Sequence, residues 1–403
     1  MESRFNFLNK IMSEIIKDQP NYTLPDLIKY FLKLGTTGFG GPVALVNYMQ
    51  RDLVEDKKWI NDSDFKEGLA LSQLAPGPLA AQLGIYMGFV HYGILGATLS
   101  GLAFVLPSFI MVVLLGIAYQ AYGGLPWMQA VFYGISAAVI GIIVLSSYKL
   151  TTKSISKFEI PAIKNNWLLW VFYLSATILT AVTQREELTL FIVLGFIYMI
   201  IKAPPEWIKR PKTASLFLLA TSGFSAIELG KLADLAWFFV KAGAFVFGSG
   251  LAIVPFLHAG VVNEHHWLTE NQFVDAVAVA MITPGPVVIT VGFIGYLVGG
   301  FTGACIAALA TFLPCYLFTV IPAPYFKKIS QNKSIKAFVD GITAGVIGAL
   351  AGAVIVITQR TIIDIPTALI AIGTILILIY VKKLQEPHII VIAALVGVLI
   401  KLI

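Results

Sequence analysis

The chain has 403 residues, 58% hydrophobic and 12% charged, with mean hydropathy +0.84 and a formal net charge of +6. Soluble domains carry about 25% charged residues, so a water-soluble fold is excluded. The positive balance does not argue for nucleic acid, because membrane proteins gather Lys and Arg in their cytoplasmic loops. Apolar runs such as Gly93 to Ile117, Ala130 to Ser146 with its flanks, and Ile365 to Val381 are long enough for about 30 Å of hydrocarbon. They are expected to be helices, since lipid-facing backbone must close its own hydrogen bonds, and the short alternating segments of a membrane barrel are missing.

In chain order, residues 1–22 form a leader. Glu2, Arg4, Lys10, Glu14, Lys17 and Asp18 interrupt any signal-peptide core. Phe5, Leu8, Met12, Ile15 and Ile16 recur at helical spacing, which predicts an amphipathic surface helix or else a solvated leader. Residues 23–202 hold six apolar segments, roughly 25–50, 67–91, 94–120, 127–148, 166–183 and 187–202. A joining segment, 203–230, opens in a Pro- and Lys-rich tract and contains the short apolar stretch Ala214 to Ala226, an extra helix by expectation. Residues 231–403 answer with segments at 232–258, 272–298, 300–321, 337–358, 364–381 and 388–402. Cys305 and Cys315 lie in apolar sequence without His or carboxylate at ligand spacing, so they read as small hydrophobes, and neither metal nor cofactor is expected.

The two six-segment tracts are copies. Lys33/Lys241, Trp59/Trp267 and Pro76-Gly77-Pro78/Pro284-Gly285-Pro286 are each 208 positions apart, and Phe31 to Gly84 matches Phe239 to Gly292 in 15 of 54 pairs. After Gly88/Gly295 the offset becomes 207, aligning Leu106-Pro107 with Leu313-Pro314 and Gly134-Ile135 with Gly341-Ile342. The fold class expected is an all-α polytopic membrane protein of two inverted homologous repeats. Six segments, the joining stretch and six more give thirteen crossings, and an odd element between copies inverts the second. Loop charge agrees: Lys149, Lys153, Lys157 and Lys164 follow the fourth segment of the first copy, whereas Lys327, Lys328, Lys333 and Lys336 precede that of the second. Arg51, Lys57, Lys58 and Lys66 dissent, on what the count makes the outer side. The first two segments of each copy are therefore expected to be broken or re-entrant.

Two repeated constellations interrupt helix. Gly38-Phe39-Gly40-Gly41-Pro42 is echoed by Phe247-Gly248-Ser249-Gly250, and Leu74-Ala75-Pro76-Gly77-Pro78 by Ile282-Thr283-Pro284-Gly285-Pro286. Proline lacks an N–H and constrains the residue before it. Breaks at membrane depth survive where the freed backbone is buried or lines a watery cavity, and a half-helix N-terminus there attracts an anion. A packing kink is the plainer account of any one break. Two interrupted segments at matching positions in inverted copies are instead the mark of a transporter's binding site. Lys33 and Lys241, about two turns before the Gly-rich breaks, either face the anion or snorkel to headgroups. Gln73, Gln82, Thr283 and Thr290 either donate to the ligand or glue helices. Glu67 and Asp275 match across copies, as carriers of a coupled proton or as N-terminal caps. His258, His265 and His266 are expected to titrate in solvent. His91 and His388 flank interfaces, and Trp59 and Trp267 read as interfacial anchors.

At FLKLGTTGFGGP (Phe31–Pro42), LSQLAPGP (Leu71–Pro78), FVKAGAFVFGSG (Phe239–Gly250) and AVAMITPGP (Ala278–Pro286) the chain resembles the chromate ion transporter family in its long two-domain form. The resemblance implies a multi-pass plasma-membrane exporter of chromate, with sulfate as analogue and proton coupling commonly proposed. It points to Gly40, Gly41, Pro42, Pro76, Gly77, Pro78 and their second-copy equivalents. Ser249-Gly250 stands where the first copy has Gly41-Pro42, so the two sites need not be equivalent. Lipid is a partner by class and a homodimer is left open. Each charge crossing 100 mV exchanges about 2.3 kcal/mol, so a dianion gains roughly 4.6 kcal/mol on leaving an inside-negative cell, which favours export. The alternative is a carrier for sulfate or an organic acid. An enzyme would need a metal or nucleophile motif, and no H-E-x-x-H, intramembrane aspartate pair or dinucleotide loop is present.

Overall fold

Helix α1 (Leu24–Thr37) begins in a capping box in which Thr23 and Asp26 exchange hydrogen bonds. It runs 14 residues to Gly38, roughly 21 Å and too short to cross. The computed structural model describes residues 21–39, 41–184, 188–205, 230–246, 250–326, 332–381, 384 and 386–402, and no strand occurs among them. Past the break the chain turns back through α2 (Gly41–Met49), continued as a π-helix over Gln50–Asp56. The ring of Tyr22 stacks on Trp59 at 4.8 Å, so both ends of this hairpin share one face. A second hairpin follows from α3 (Asp62–Leu74) and the start of α4 (Leu79–Tyr122), with Gly68 packed under Tyr86 and Met87. The hydroxyl of Tyr22 meets His91 Nδ1 at 2.7 Å, and Tyr92 donates to the Tyr22 carbonyl, which ties the second hairpin to the same face.

At Gly93, with φ 59°, α4 folds back on itself, and Gly88 and Gly96 lie backbone to backbone. Residues 94–122 then make the first full crossing. α5 (Pro126–Ser154) returns, α6 (Ile160–Asn165) is a short connector, and α7 (Trp167–Thr183) and α8 (Leu188–Lys202) go out and back. The second copy repeats this plan. α9 (Lys231–Ala244), a 3-10 turn (Gly250–Ile253), α10 (Val254–His258) and a π-helix (Ala259–Glu264) form its first hairpin. α11 (Glu270–Ile282), a 3-10 turn (Val287–Ile289) and α12 (Thr290–Val320), folded back at Gly299 and Gly300, form the second. α13 (Lys333–Thr361), α14 (Ile365–Tyr380) and α15 (Glu386–Leu402) complete it.

Interlocked packing fixes the relative direction of the copies. On α5, Tyr133 donates to Asp364 at 2.6 Å and Gly141 abuts Ala371, so α14 runs parallel to it. Gly134 abuts Ala393 while Gly397 abuts Ala130, so α15 runs antiparallel. The second copy mirrors this on α13, where Gly348 and Gly352 meet Tyr173 and Thr177 of α7, and Gly341 and Gly345 meet Leu194 and Phe191 of α8. Small residues let these backbones approach closely, the usual basis of helix association in lipid. The last two helices of each copy thus dock on the long helix of the other, and α5 and α13 end at opposite faces. The copies are inverted.

The structure corrects the count of thirteen crossings: the first two segments of each copy are re-entrant hairpins, because their Gly and Pro breaks fall halfway. It also removes the dissent in the charge pattern. Arg51, Lys57, Lys58 and Lys66 lie on the same face as Lys149, Lys153, Lys157, Lys164, Lys333 and Lys336, whereas Lys231, Arg360 and Lys401 lie on the other. The leader and the apolar stretch of the joining segment fall outside the described residues. Exposed stripes of Leu102, Leu106 and Leu114 on α4 and Leu309, Leu313 and Leu317 on α12 suit a hydrocarbon solvent rather than water. An apolar groove of about 440 Å³ runs between these two stripes.

Candidate oxyanion site at the crossed helix breaks

The four breaks meet, and they meet across copies. The N–H of Gly77, in the Pro-Gly-Pro turn of the first copy, donates to the carbonyl of Val246 in the second copy's Gly-rich break, at 2.5 Å. The N–H of Gly285 donates to the carbonyl of Gly38 in the first copy's break, at 2.9 Å. Both glycines have positive φ, 144° and 94°, and both are crowded. A Cβ on Gly77 would stand 2.6 Å from Gln82 Nε2, and one on Gly285 would stand 2.0 Å from Ser108 Oγ. Turn geometry and the side chains packed against these positions therefore both favour glycine.

Around this crossing the side chains mostly serve the backbone. Gln82, fully buried, donates through Nε2 to the Pro76 carbonyl at 2.8 Å, while its Oε1 has no partner among the described residues. Thr290 Oγ1 donates to the Val287 carbonyl and Thr283 Oγ1 to that of Ala280. Both are buried. Gln73 is exposed, in the last turn of α3. Pro42, Leu45, Pro78, Ala80, Gly250, Gly285, Pro286 and Val287 line a central cavity of about 10 Å³, room for one water. The N-termini of α2 and α4, beginning at Gly41 and Leu79, open onto it, but in this state it is closed to a tetrahedral oxyanion. Gly40, Gly248 and Ser249 lie outside the described residues; Pro284 belongs to the second Pro-Gly-Pro turn.

Beside the crossing a polar vestibule of about 670 Å³ descends from the basic face to Gly38. Asp26, Lys29, Tyr30, Lys33, Leu34 and Thr37 line one wall, at the three- and four-residue spacing of one face of α1. Tyr48, Arg51, Asp52, Asp56, Lys57 and Trp59 line the other. Arg51 is paired with Asp52 at 2.8 Å, and Lys57 rests 4.4 Å from the Trp59 ring centre. Lys33, singled out by sequence, is in this wall and exposed; its counterpart Lys241 is half-buried. The spacing of Asp26, Lys29, Lys33 and Thr37 carried this signal, and sequence reasoning used only Lys33.

The matched carboxylates are not helix caps. Asn61 caps α3 and Thr269 caps α11, leaving Glu67 and Asp275 nearly two turns further in. Asp275 is 6% exposed and accepts hydrogen bonds from the Tyr119 hydroxyl at 2.7 Å and from Ser136 Oγ at 3.2 Å. No cation lies within ion-pair distance of it among the described residues. Glu67 is half-buried against Tyr86. Of the three loop histidines, His258 departs most from expectation. His258 is buried, with Nε2 2.7 Å from Glu270, and Arg360 joins the same carboxylate while reaching Gln184 and Asn263. His265 stacks on Trp267 at 4.3 Å. Packing in the second copy's hairpin, invisible in a run of polar loop residues, buries His258 and half-buries His265, whereas His266 is exposed.

A family model described as chromate transporter matches residues 25–201 and 233–398, once per copy. The chain belongs to the chromate transporter family. It is 62% identical over 382 residues to a chromate transport protein of Cupriavidus metallidurans, covering 94% of this chain and 93% of that one. It is 54% identical to a probable chromate transport protein of Synechococcus elongatus, covering 97% and 99%, and 29% identical to a chromate transport protein of Pseudomonas aeruginosa, covering 94% and 93%. No solved structure matches the chain. Family and helices together make this chromate transporter family member a multi-pass protein of the cell membrane.

Proposed function

We propose that the chain exports chromate, with sulfate as a competing analogue, by alternately parting and closing the crossed breaks. The observation that carries this reading is the reciprocal pair of hydrogen bonds, Gly77 to Val246 and Gly285 to Gly38. It places four interrupted segments of inverted copies at one point, with half-helix N-termini facing it, as in transporters that bind at the midplane. Positive potential at those termini favours a dianion. By the positive-inside rule the basic face is cytoplasmic, so the vestibule opens toward the cell interior and the load enters there. Membrane potential then assists each outward passage.

Asp275 is the coupling carboxylate in this reading. A carboxylate so buried, held by two neutral hydroxyls, is costly to leave charged, and protonation relieves that cost. The groups that donate to it are Tyr119 from α4 and Ser136 from α5; Glu67 is the weaker candidate because it is more exposed. The test is labelled-chromate uptake into everted membrane vesicles with an imposed pH gradient. Wild type should accumulate chromate, sulfate should compete, and Asp275→Asn at equal abundance should lose most gradient-driven uptake while Asp275→Glu retains it. Absence of chromate uptake by wild type would overturn the export reading; full uptake by Asp275→Asn would overturn the coupling.

A further inference from the structure

Lys29 and Lys33 stand four residues apart on one face of α1, both exposed to the vestibule, and neither has a carboxylate within ion-pair distance among the described residues. Like charges at this spacing repel and weaken a helix unless something neutralises them. The carboxylates of the vestibule do so only in part: Asp52 is engaged by Arg51, Asp26 accepts from Thr23 in the cap and meets Lys29 only through space, and Asp56 sits at the outer end of the facing π-helix. Charge is therefore graded along the vestibule, with acids at the rim or already paired and Lys33 lying deeper, one turn above Thr37 and Gly38.

The second copy has no such arrangement at the same positions. Trp237 replaces Lys29, Ala259 replaces Arg51, Gly260 replaces Asp52 and His265 replaces Lys57. There Phe238 lies against Gly260 and stacks on Phe256 at 5.1 Å, while His265 stacks on Trp267. Of two structurally equivalent hairpins, the second keeps Asp234 and Lys241 but packs rings at the other positions, whereas the first holds a cavity lined by four cations and three carboxylates.

We propose that the first-copy vestibule is a loading site for a tetrahedral dianion, distinct from the closed crossing, with Lys29 and Lys33 as its charged ligands. The dianion rests between the two ammonium groups before the breaks part, and the rim carboxylates repel it from the outer mouth once it has passed inward. This rests on the export reading for its direction but not for the binding itself. Because the site precedes the crossing, removing a lysine raises the concentration needed for half-maximal flux and spares the maximal rate.

The test is chromate uptake into everted vesicles by Lys29→Gln and Lys33→Gln, with Lys241→Gln as the second-copy control, alongside binding of labelled sulfate to the purified proteins. Loss of one charge-assisted contact should raise KM about tenfold, with kcat within about twofold, and should weaken sulfate binding to a similar extent. Lys241→Gln should leave KM unchanged. Wild-type KM and sulfate binding in both first-copy variants would overturn the loading site and leave export standing. Lysine-dependent sulfate binding in a chain that moves no chromate would overturn export and leave the loading site standing. Both lysines are exposed, and an unchanged melting temperature excludes misfolding as the cause.

Discussion

At Gly285 backbone and packing ask for the same residue: φ is 94°, and the space a Cβ would fill is held by Ser108 Oγ. Gly285→Ala should cost about 1–3 kcal/mol, read as a lower melting temperature in detergent, and should abolish most chromate flux by pushing the turn off the Gly38 carbonyl. Pairing this change with Ser108→Ala should recover part of the stability while leaving the backbone strain. The importance of Gly285 was legible in sequence because Pro-Gly-Pro recurs at a fixed offset and disrupts helix wherever it falls. Its partner was not. The acceptors are the carbonyls of Gly38 and Val246, and a backbone carbonyl leaves no mark in the identity of its residue. The polar residues beside the breaks read ambiguously for a related reason. Thr283, Thr290 and Gln82 can serve a ligand or the chain, and only the geometry shows them donating to nearby carbonyls.

Helices α5 and α13 depend on glycine for a different purpose, which is access to a neighbour's backbone. A Cβ on Gly348 would stand 2.3 Å from the Tyr173 carbonyl oxygen, whereas one on Gly373 of α14 would meet nothing within 4 Å. Gly348→Leu should therefore destabilise the protein by about 1–3 kcal/mol or more through overpacking, and Gly373→Leu should melt with wild type; thermal melting in detergent compares them. The full-length helices were the most legible elements, since 94–120, 127–148 and 337–358 are long apolar runs that the structure keeps with boundaries shifted by a few residues. The hairpins were half legible. Hydropathy over 25–50 reads as one long segment, because the Gly-rich break is itself apolar, and only the basic residues at 51–66 betrayed the return of the chain.

For the whole molecule, re-entrant hairpins and a simple series of crossings make opposite predictions about sidedness. With the native cysteines replaced, Lys58→Cys and Lys157→Cys should both be shielded from a membrane-impermeant maleimide in intact cells, and Gly124→Cys, in the open turn between α4 and α5, should react. Thirteen plain crossings would instead put residues 58 and 157 on opposite sides. Inversion of the copies was written in the repeat offset and the lysine distribution. The exchange of terminal helices between copies was not, because identity between repeats says which residues are equivalent but not which surfaces touch.

That exchange bears on how the protein comes into being. With α7 and α8 seated on α13, and α14 and α15 on α5, neither half encloses its own long helix, and a ribosome must finish the second before the first has anything to hold. Cut between residues 203 and 230 and made as two polypeptides, the halves should vanish singly to proteolysis and persist when made together, copurifying as a one-to-one complex. The molecule then behaves as a heterodimer on a single string, and an ancestor with one copy would have needed a twin inserted the other way up.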